Sequence, residues 1–455
     1  MELKKIDFEN FDIEELDFLD LMMIDIEGNI RHVSIAKGFI NEKLFEEGIG
    51  FDASNLGFAK VTKSDMVAIP DKNMSFLEYK DEFSILHMFC DVVDPFDNSN
   101  VFAQYPRNII KLTHKYLLEN NIAENVKMLV ELEFHVFDDV SYSSNFSHSY
   151  YQVMSSEGIG EYYDNQPRMR NNRGYHNIYP TEKYFTFRNQ VVNVMESIGI
   201  PVKYHHHEVG TAQLEIELNF IGIDKVADYV TLSRWIIKNI AEENNLFVTF
   251  MPKPIYNMPG NGMHVHQFLE KDNKTLFVGD KEHGLSELAL NYLSGILDHS
   301  LTGSLLAFTN PSTNSFKRLV PGFEAPISAT FAKGSRSAAI RIPGYLKEDN
   351  VRIEFRTGDA TANLYYSLSA MVLAGIDGIL NKSNPIEKGY SSIDHLEDKQ
   401  FPLSLDKVLL GLKNDNEYLL RVFPKDLIEL WINNKSKEAS YVYNAPTPQE
   451  YELYF

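Results

Sequence analysis

The chain has 455 residues, 44% of them hydrophobic, which is enough for two or three domains or for one large domain with an appendage. Its 64 Asp and Glu against 43 Lys and Arg give a formal charge of -21. That balance argues against general nucleic-acid binding and against docking on an anionic membrane surface, and it is compatible with divalent cations. A single cysteine, Cys90, excludes an intramolecular disulfide framework and a thiolate zinc site. The opening MELKKIDFENFDIEELDFLD is charged throughout, without a signal-peptide pattern, and no run of about 18 apolar residues suggests a membrane span. A soluble cytoplasmic protein is expected.

Residues 1–105 read as a small α/β unit. LMMIDIEGNIRHVSI predicts a hairpin turning at Glu27-Gly28, and DMVAIPD and FSILHMFCDVV predict further strands. YPRNIIKLTHKYLLENN predicts an amphipathic helix, with Pro106 in its first turn, opening a larger domain of residues 106–455. MLVELEFHVF then alternates: Glu131, Glu133 and His135 share one strand face, and Val130, Leu132, Phe134 and Val136 the other. Residues 141–173, rich in Ser, Tyr, Asn and Gly, read as a long loop or flap. TEKYFTFRNQVVNVMESIG, KVADYVTLSRWIIKNIAEENN and ANLYYSLSAMVLAGIDGIL read as helices, and the last fifty residues as helix followed by a polar tail ending YELYF.

The alternation returns elsewhere. QLEIELNF sets Gln213, Glu215, Glu217 and Asn219 against Leu214, Ile216, Leu218 and Phe220, just after HHHEVG with Glu208. MHVHQF pairs His264 with His266, VRIEFR groups Arg352, Glu354 and Arg356, and AAIRIP presents Arg341. Several strands thus join an apolar face to one of acids, histidines and arginines. They predict one curved antiparallel sheet, helix-covered on its convex side and charged within its concavity. Two carboxylates at i and i+2 repel unless a cation lies between them. Carboxylates with an imidazole suit Mg²⁺ or Mn²⁺, and convergent arginines match phosphate, so a Mg²⁺-nucleotide site is expected. There is no G-x-x-x-x-G-K-[ST] stretch, so ATP would not be held by a P-loop.

These stretches carry a resemblance. From about residue 15 onward, FDASNLG, SDMVAIPD, VELEFHVFD, HHEVGTAQLEI, FMPKPIYNMPGNGMHVH, FKRLVPGFEAP, GSRSAAIRIP and RIEFRTGDATANLYYSLSAMVLAGIDGI resemble, in order, the motifs of class I glutamine synthetases. The resemblance implies an α+β chain: an N-terminal β-grasp domain, then a catalytic domain with a curved antiparallel sheet backed by helices. It implies ATP-dependent ligation of ammonia to the γ-carboxylate of L-glutamate through a γ-glutamyl phosphate. Two or three Mg²⁺ or Mn²⁺ ions would be bound per site, in rings of six subunits stacked as a dodecamer, with active sites between subunits. Residue by residue, Glu133, Glu208 and Glu215 would hold one metal, and Glu131, His264 and Glu354 the other. His266, Arg341 and Arg352 would lie near the nucleotide and Arg336 on the transferred phosphoryl group. Gly260, Arg318 and Arg356 would bind glutamate, with Tyr175 beside the ammonium pocket. Glu324 would sit on the closing flap, and Asp52 would bind and deprotonate ammonium.

The chain also departs from the family pattern. Pro259 replaces an asparagine that orients glutamate, Ala53 a glycine, Asn55 a serine near the ammonium, Phe268 a serine at the nucleotide, and Leu214 a polar residue. Lys347 stands out of register with a phosphate-binding lysine. Tyr390 in EKGYSSID is the candidate for a modifiable tyrosine, and Lys60 stands near a feedback-linked arginine. His205, His206 and His207 read as residues that position Glu208, and Met258 and Met263 as packing. A γ-glutamyl ligase using a polyamine or other amine, and a non-catalytic relative, are the alternative readings.

Overall fold

VELEFHVF does form one strand, Asn125–Phe137, and it is the spine of a ten-stranded sheet. Across that sheet the order runs Val202–His207, Gln213–Leu218, Asn125–Phe137, Met263–Lys271, Ile353–Phe355, Ile340–Ile342 and Phe331–Lys333, with three two- or three-residue strands paired at its sides. Neighbours are antiparallel except Phe331–Lys333 with Ile340–Ile342, which run parallel, so the all-antiparallel expectation fails at that edge. Register delivers the polar face. Glu131 lies opposite both Glu217 and His264, Glu133 opposite Glu215, and Glu354 opposite both His266 and Arg341. Val130, Leu132, Phe134 and Val136 point the other way into the core. The Leu364–Leu380 helix is buried over almost its whole length against Glu287–Thr302. The two meet at glycines, for a Cβ on Gly295 would fall 2.1 Å from the Ala374 carbonyl oxygen.

This computed structural model describes residues 1–58, 64–160, 169–347, 350–391 and 396–455. Lys60 and the 161–168 part of the proposed flap lie outside them. The N-terminal strands form a seven-stranded mixed sheet, ordered Glu2–Lys5, Asp65–Lys80, Phe83–Asp94, Phe18–Ile24, Ile30–Ala36, with Ile49–Asp52 and Asp97–Val101 added at its sides. The Phe18–Ile24 and Ile30–Ala36 hairpin is the one expected, and its turn residue Gly28 has φ +84°. A Cβ there would meet the Asn363 Cα at 2.8 Å, because the turn packs on the cap of the Leu364–Leu380 helix. Pro106 opens the Pro106–Glu119 helix as predicted. The next residue, buried Arg107, reaches Asp71 and Asp91 of the N-terminal sheet and Asp228 of the Val226–Glu243 helix at 2.6–2.8 Å, tying the N-terminal sheet to that helix.

Three local expectations need correction. Asp139–Ser144 and Ser149–Met154 pair as an antiparallel hairpin, so the first part of the 141–173 stretch is not loop; its tyrosines and valines suit strands. The third helix begins at Phe185 rather than at Thr181. The polar tail ends in a helix, Pro448–Tyr454, started by a capping box of Thr447 and Glu450. No helix among the described residues is long and apolar enough to cross a membrane.

Candidate active site

The polar sheet face opens into a cavity of about 310 Å³. Six carboxylates line it, Glu131, Glu133, Glu208, Glu215 and Glu354 within and Glu324 at the mouth, facing Arg318, Arg336, Arg341 and Arg356. Two donor groups stand out among the described residues. In the first, ligand atoms of Glu131, His266 and Glu354 lie within 4.8 Å of one another, and in the second those of His206, Glu208 and Glu215 do. His264 adjoins the first: its Nδ1 lies 2.6 Å from Glu131 and 3.9 Å from Glu354, and its Nε2 3.8 Å from Glu133. Glu131, His264 and Glu354 therefore converge as the resemblance implies, with His266 closer in than expected. On the other side His206 Nε2 stands 3.2 Å from Glu215, so one member of the histidine triplet joins the acids. The next member, His207, is fully buried between the Glu208 carbonyl oxygen at 2.7 Å and Glu157 at 2.9 Å, which fixes the chain at Glu208.

The acids differ electrostatically. Burial, then repulsion from Glu215 and Glu133, pushes the Glu208 carboxyl well above its ordinary pKa. Burial, with Glu131 and Glu133 beside it, does the same to Glu215. Burial opposes ionisation of Glu131 too, but hydrogen bonds from His264 and His266 hold it well below the usual range. Excess buried negative charge with oxygen and imidazole donors is what a divalent cation neutralises, so the residues present fit Mg²⁺ or Mn²⁺.

The arginines lie deep or at the mouth. Glu354 receives Arg341 at 2.6 Å and also Arg356, which donates from Nε to the Arg336 carbonyl oxygen at 3.1 Å. Arg318 is buried and donates to the backbone oxygens of Thr357 and Arg356 at 2.9 and 3.1 Å, leaving its edge toward His264. Gly260 packs so tightly on it that a Cβ would lie 2.2 Å from the Pro252 oxygen and 2.9 Å from Arg318 Cγ. At the mouth, half-exposed Arg336 meets Glu324 at 4.0 Å and the Tyr175 ring at 5.9 Å. Glu324 holds φ +56°, a conformation that a side chain resists, in a loop whose Phe323 ring covers the Lys253 ammonium at 3.9 Å.

Three predicted residues stand outside the cavity lining. Arg352 lies behind the wall, donating to His266 at 3.3 Å and stacked over Phe220 at 5.4 Å; Phe220 in turn meets Phe268 edge-on at 5.2 Å. His266 is likewise behind it, buried against Glu131. Asp52 ends the Ile49–Asp52 strand, exposed, and does not line the cavity. Burial also removes Tyr390 from any modification role, for it is 5% exposed with its hydroxyl donated to Asp298 at 2.7 Å. Met258 and Met263 are buried as expected. Sequence reasoning missed Asn261, which holds His135 at 2.8 Å and accepts from Gln213 at 3.2 Å, and Glu157, which caps the turn at Ala212. Asn261 sits in an irregular Gly-flanked segment where no period marks a face, whereas His206, two residues before Glu208, was legible from strand alternation.

Residues 103–454 match a family model described as the glutamine synthetase catalytic domain, and residues 15–95 one described as the glutamine synthetase beta-Grasp domain. A Methylococcus capsulatus protein named glutamine synthetase is 38% identical over 458 residues, covering 97% of each chain. A Cupriavidus pinatubonensis protein named 3-hydroxylaminophenol mutase is 36% identical over 457 residues, covering 97% of this chain and 96% of its own. Among solved structures, a Plasmodium falciparum glutamine synthetase aligns with a TM-score of 0.90 at 26% identity, covering 99% of this chain and all of that one.

Proposed function

The chain belongs to the glutamine synthetase family of ligases, and from that premise we propose that it joins ammonia to the γ-carboxylate of L-glutamate at the expense of ATP, through a γ-glutamyl phosphate. The observation that carries this reading is the cavity over one sheet face in which six carboxylates face four arginines. A scaffold has no use for that much converging, partly uncompensated charge.

Glu133, Glu208 and Glu215, with His206 alongside, would hold one divalent ion, and Glu131, His264 and Glu354 another, with His266 close by. When bound, such ions supply positive charge to the phosphates of the nucleotide. The protein's own residues do the rest. Arg318 and Arg356, fixed by backbone oxygens and by Glu354, orient the glutamate over Gly260, where only glycine leaves room. Arg336 neutralises the transferred phosphoryl oxygens, while Arg341, Arg352 and His266 order the nucleotide end. Transfer of the ATP γ-phosphoryl group to the substrate carboxylate, with ADP as the leaving group, gives an acyl phosphate that water would also attack. Glu324, on its strained loop, and Tyr175 are placed at the mouth to close over it. Ammonium predominates at pH 7, so a carboxylate must take its proton before attack, and Asp52 is assigned that role. Since Asp52 does not line its own chain's cavity, it would serve the cavity of a neighbouring subunit in a ring of six or twelve. In this reading residues 1–105 form the domain that is lent, and residues 106–455 the catalytic one.

Pro259 at the cavity wall favours a second reading, in which a larger amine replaces ammonia. Proline brings neither the amide nor the backbone N–H of the asparagine that the family pattern has there. Phosphate release from ATP with Mg²⁺ and glutamate, comparing ammonia with a polyamine, decides between them. Ammonia-dependent release supports glutamine formation, and release only with the polyamine overturns it.

A further inference from the structure

A second cleft, of about 370 Å³, lies between the Phe18–Ile24/Ile30–Ala36 turn, the Val226–Glu243 helix and the Lys425–Tyr443 helix. Its cations are unevenly matched. On one side Lys435 is buried and holds Glu27 at 2.5 Å and Glu438 at 2.9 Å. On the other, Arg234 and Lys238 stand one helical turn apart, and their charged heads lie 5.9 Å from the same Phe250 ring. Arg234 spends one N–H on the Ala362 carbonyl oxygen at 3.2 Å. Among the described residues neither it nor Lys238 makes an ion pair with a carboxylate, although the chain as a whole carries 21 excess negative charges. Like charges at i and i+4 repel. Burial pushes the Arg234 guanidinium down to about 10, and burial, then Arg234, lowers Lys238.

We propose that this cleft binds a dianionic phosphoryl group, either inorganic phosphate or the phosphate of a small monoester. A guanidinium fork beside an ammonium point charge matches a tetrahedral oxyanion better than a flat carboxylate. Thr249, also in the lining, accepts from the Met251 N–H at 3.1 Å and keeps its own hydroxyl proton to donate. The cleft exceeds the volume of phosphate alone, leaving room for a short ester body toward Glu27 and Asn29 of the N-terminal sheet's hairpin. A bound anion would therefore touch both sheets' domains at a place separate from the carboxylate cavity.

The test is isothermal titration of the full chain with inorganic phosphate and, separately, with glycerol phosphate, at fixed ionic strength. The proteins compared are the parent, Lys238→Gln, Arg234→Gln/Lys238→Gln, and Arg336→Gln as a control for the catalytic cavity. Losing one charge-assisted hydrogen bond weakens binding by about tenfold or more. We expect that loss in Lys238→Gln, no measurable binding at this site in the double variant, and an unchanged second site in Arg336→Gln. Lys238 is only partly covered by the cleft, so its substitution leaves the fold intact even where the double variant does not survive. Whichever of the two anions binds more tightly identifies the source of the phosphoryl group. Titrations of Lys238→Gln that superimpose on the parent, or binding abolished by Arg336→Gln alone, overturn the proposal.

Discussion

Glu208 and Glu215 resist ionisation while Glu131, one strand away, favours it, and the difference lies in what each carboxylate touches. Two histidines face Glu131, whereas beyond burial Glu208 is crowded by Glu215 and Glu133, and Glu215 by Glu131 and Glu133. Neutralising one member of the second group should therefore help the apo protein and harm the metal-bound one. Glu215→Gln is expected to raise the apo melting temperature, to lose the further rise that millimolar Mn²⁺ gives the parent, and to lose activity. Differential scanning fluorimetry with and without the ion checks this, and an undiminished Mn²⁺ response would remove Glu215 from the metal. Asp52 is the residue we propose for a later step. Asp52→Ala should cut ammonia-dependent amidation by about 10²–10⁴-fold, the usual effect of losing one general base, and cut the hydroxylamine reaction less, because hydroxylamine is already neutral at pH 7. Equal losses with the two nucleophiles would release Asp52 from ammonium chemistry. Most of these residues were legible in the sequence because strand alternation is a strict period of two, which set Glu131 with Glu133 and Glu215 with Glu217 before any register was known. Asn261 and Glu157 were not, since both act from irregular backbone where neighbours in space are unrelated in sequence.

Strand pairing in the N-terminal sheet builds a second polar cluster, unrelated to the cavity. The Phe18–Ile24 strand aligns Asp20 with His87 of Phe83–Asp94, and the next strand adds Glu78. His87 Nδ1 lies 3.1 Å from Asp20 and Nε2 2.9 Å from Glu78, all three nearly buried. Burial opposes both charges, but hydrogen bonds from His87, Ser34 and His32 lower Asp20 to about 2, and those to Asp20 and Glu78 raise His87. A depressed carboxylate stabilises the fold above its ordinary 3.8 and loses that contribution as pH falls toward about 2. A raised imidazole stabilises below its ordinary 6.5 and loses that contribution as pH climbs through the raised value. The cluster should thus contribute most between about pH 4 and 6.5. Melting curves of the parent and His87→Gln from pH 3 to 9 should differ most in that window and converge on either side. A gap independent of pH would mean that packing, not charge, holds the three together. Element by element, the Pro106–Glu119, Val226–Glu243 and Leu364–Leu380 helices were legible from apolar spacing and Pro106, whereas Glu287–Thr302 was not read. The Asp139–Met154 hairpin was hidden by its Ser and Asn content, which reads as loop unless its tyrosines and valines are weighed.

At the scale of the molecule, the cavity is, in the proposed reading, incomplete within one chain: its acids and arginines converge, but Asp52 is exposed and does not line it. Active material is therefore expected to elute as an oligomer, and light scattering coupled to an activity assay on each fraction checks it; an active monomer would end the shared-site reading. No strand period or motif in one chain encodes where a second copy sits, which is why assembly could be expected only through the family resemblance. Within one chain the two sheets are less independent than their separate hydrogen-bond ladders suggest. Arg107 is the counter-ion of two aspartates of the N-terminal sheet and of Asp228 on the Val226–Glu243 helix that packs with the second sheet's domain. Withdrawing it would leave Asp228 buried without its cation, and removing one partner of a buried pair typically costs about 3–5 kcal/mol. It follows that the protein should melt as one cooperative unit, with a single calorimetric endotherm. Arg107→Ala should divide that endotherm in two, the N-terminal sheet unfolding first at a temperature of its own.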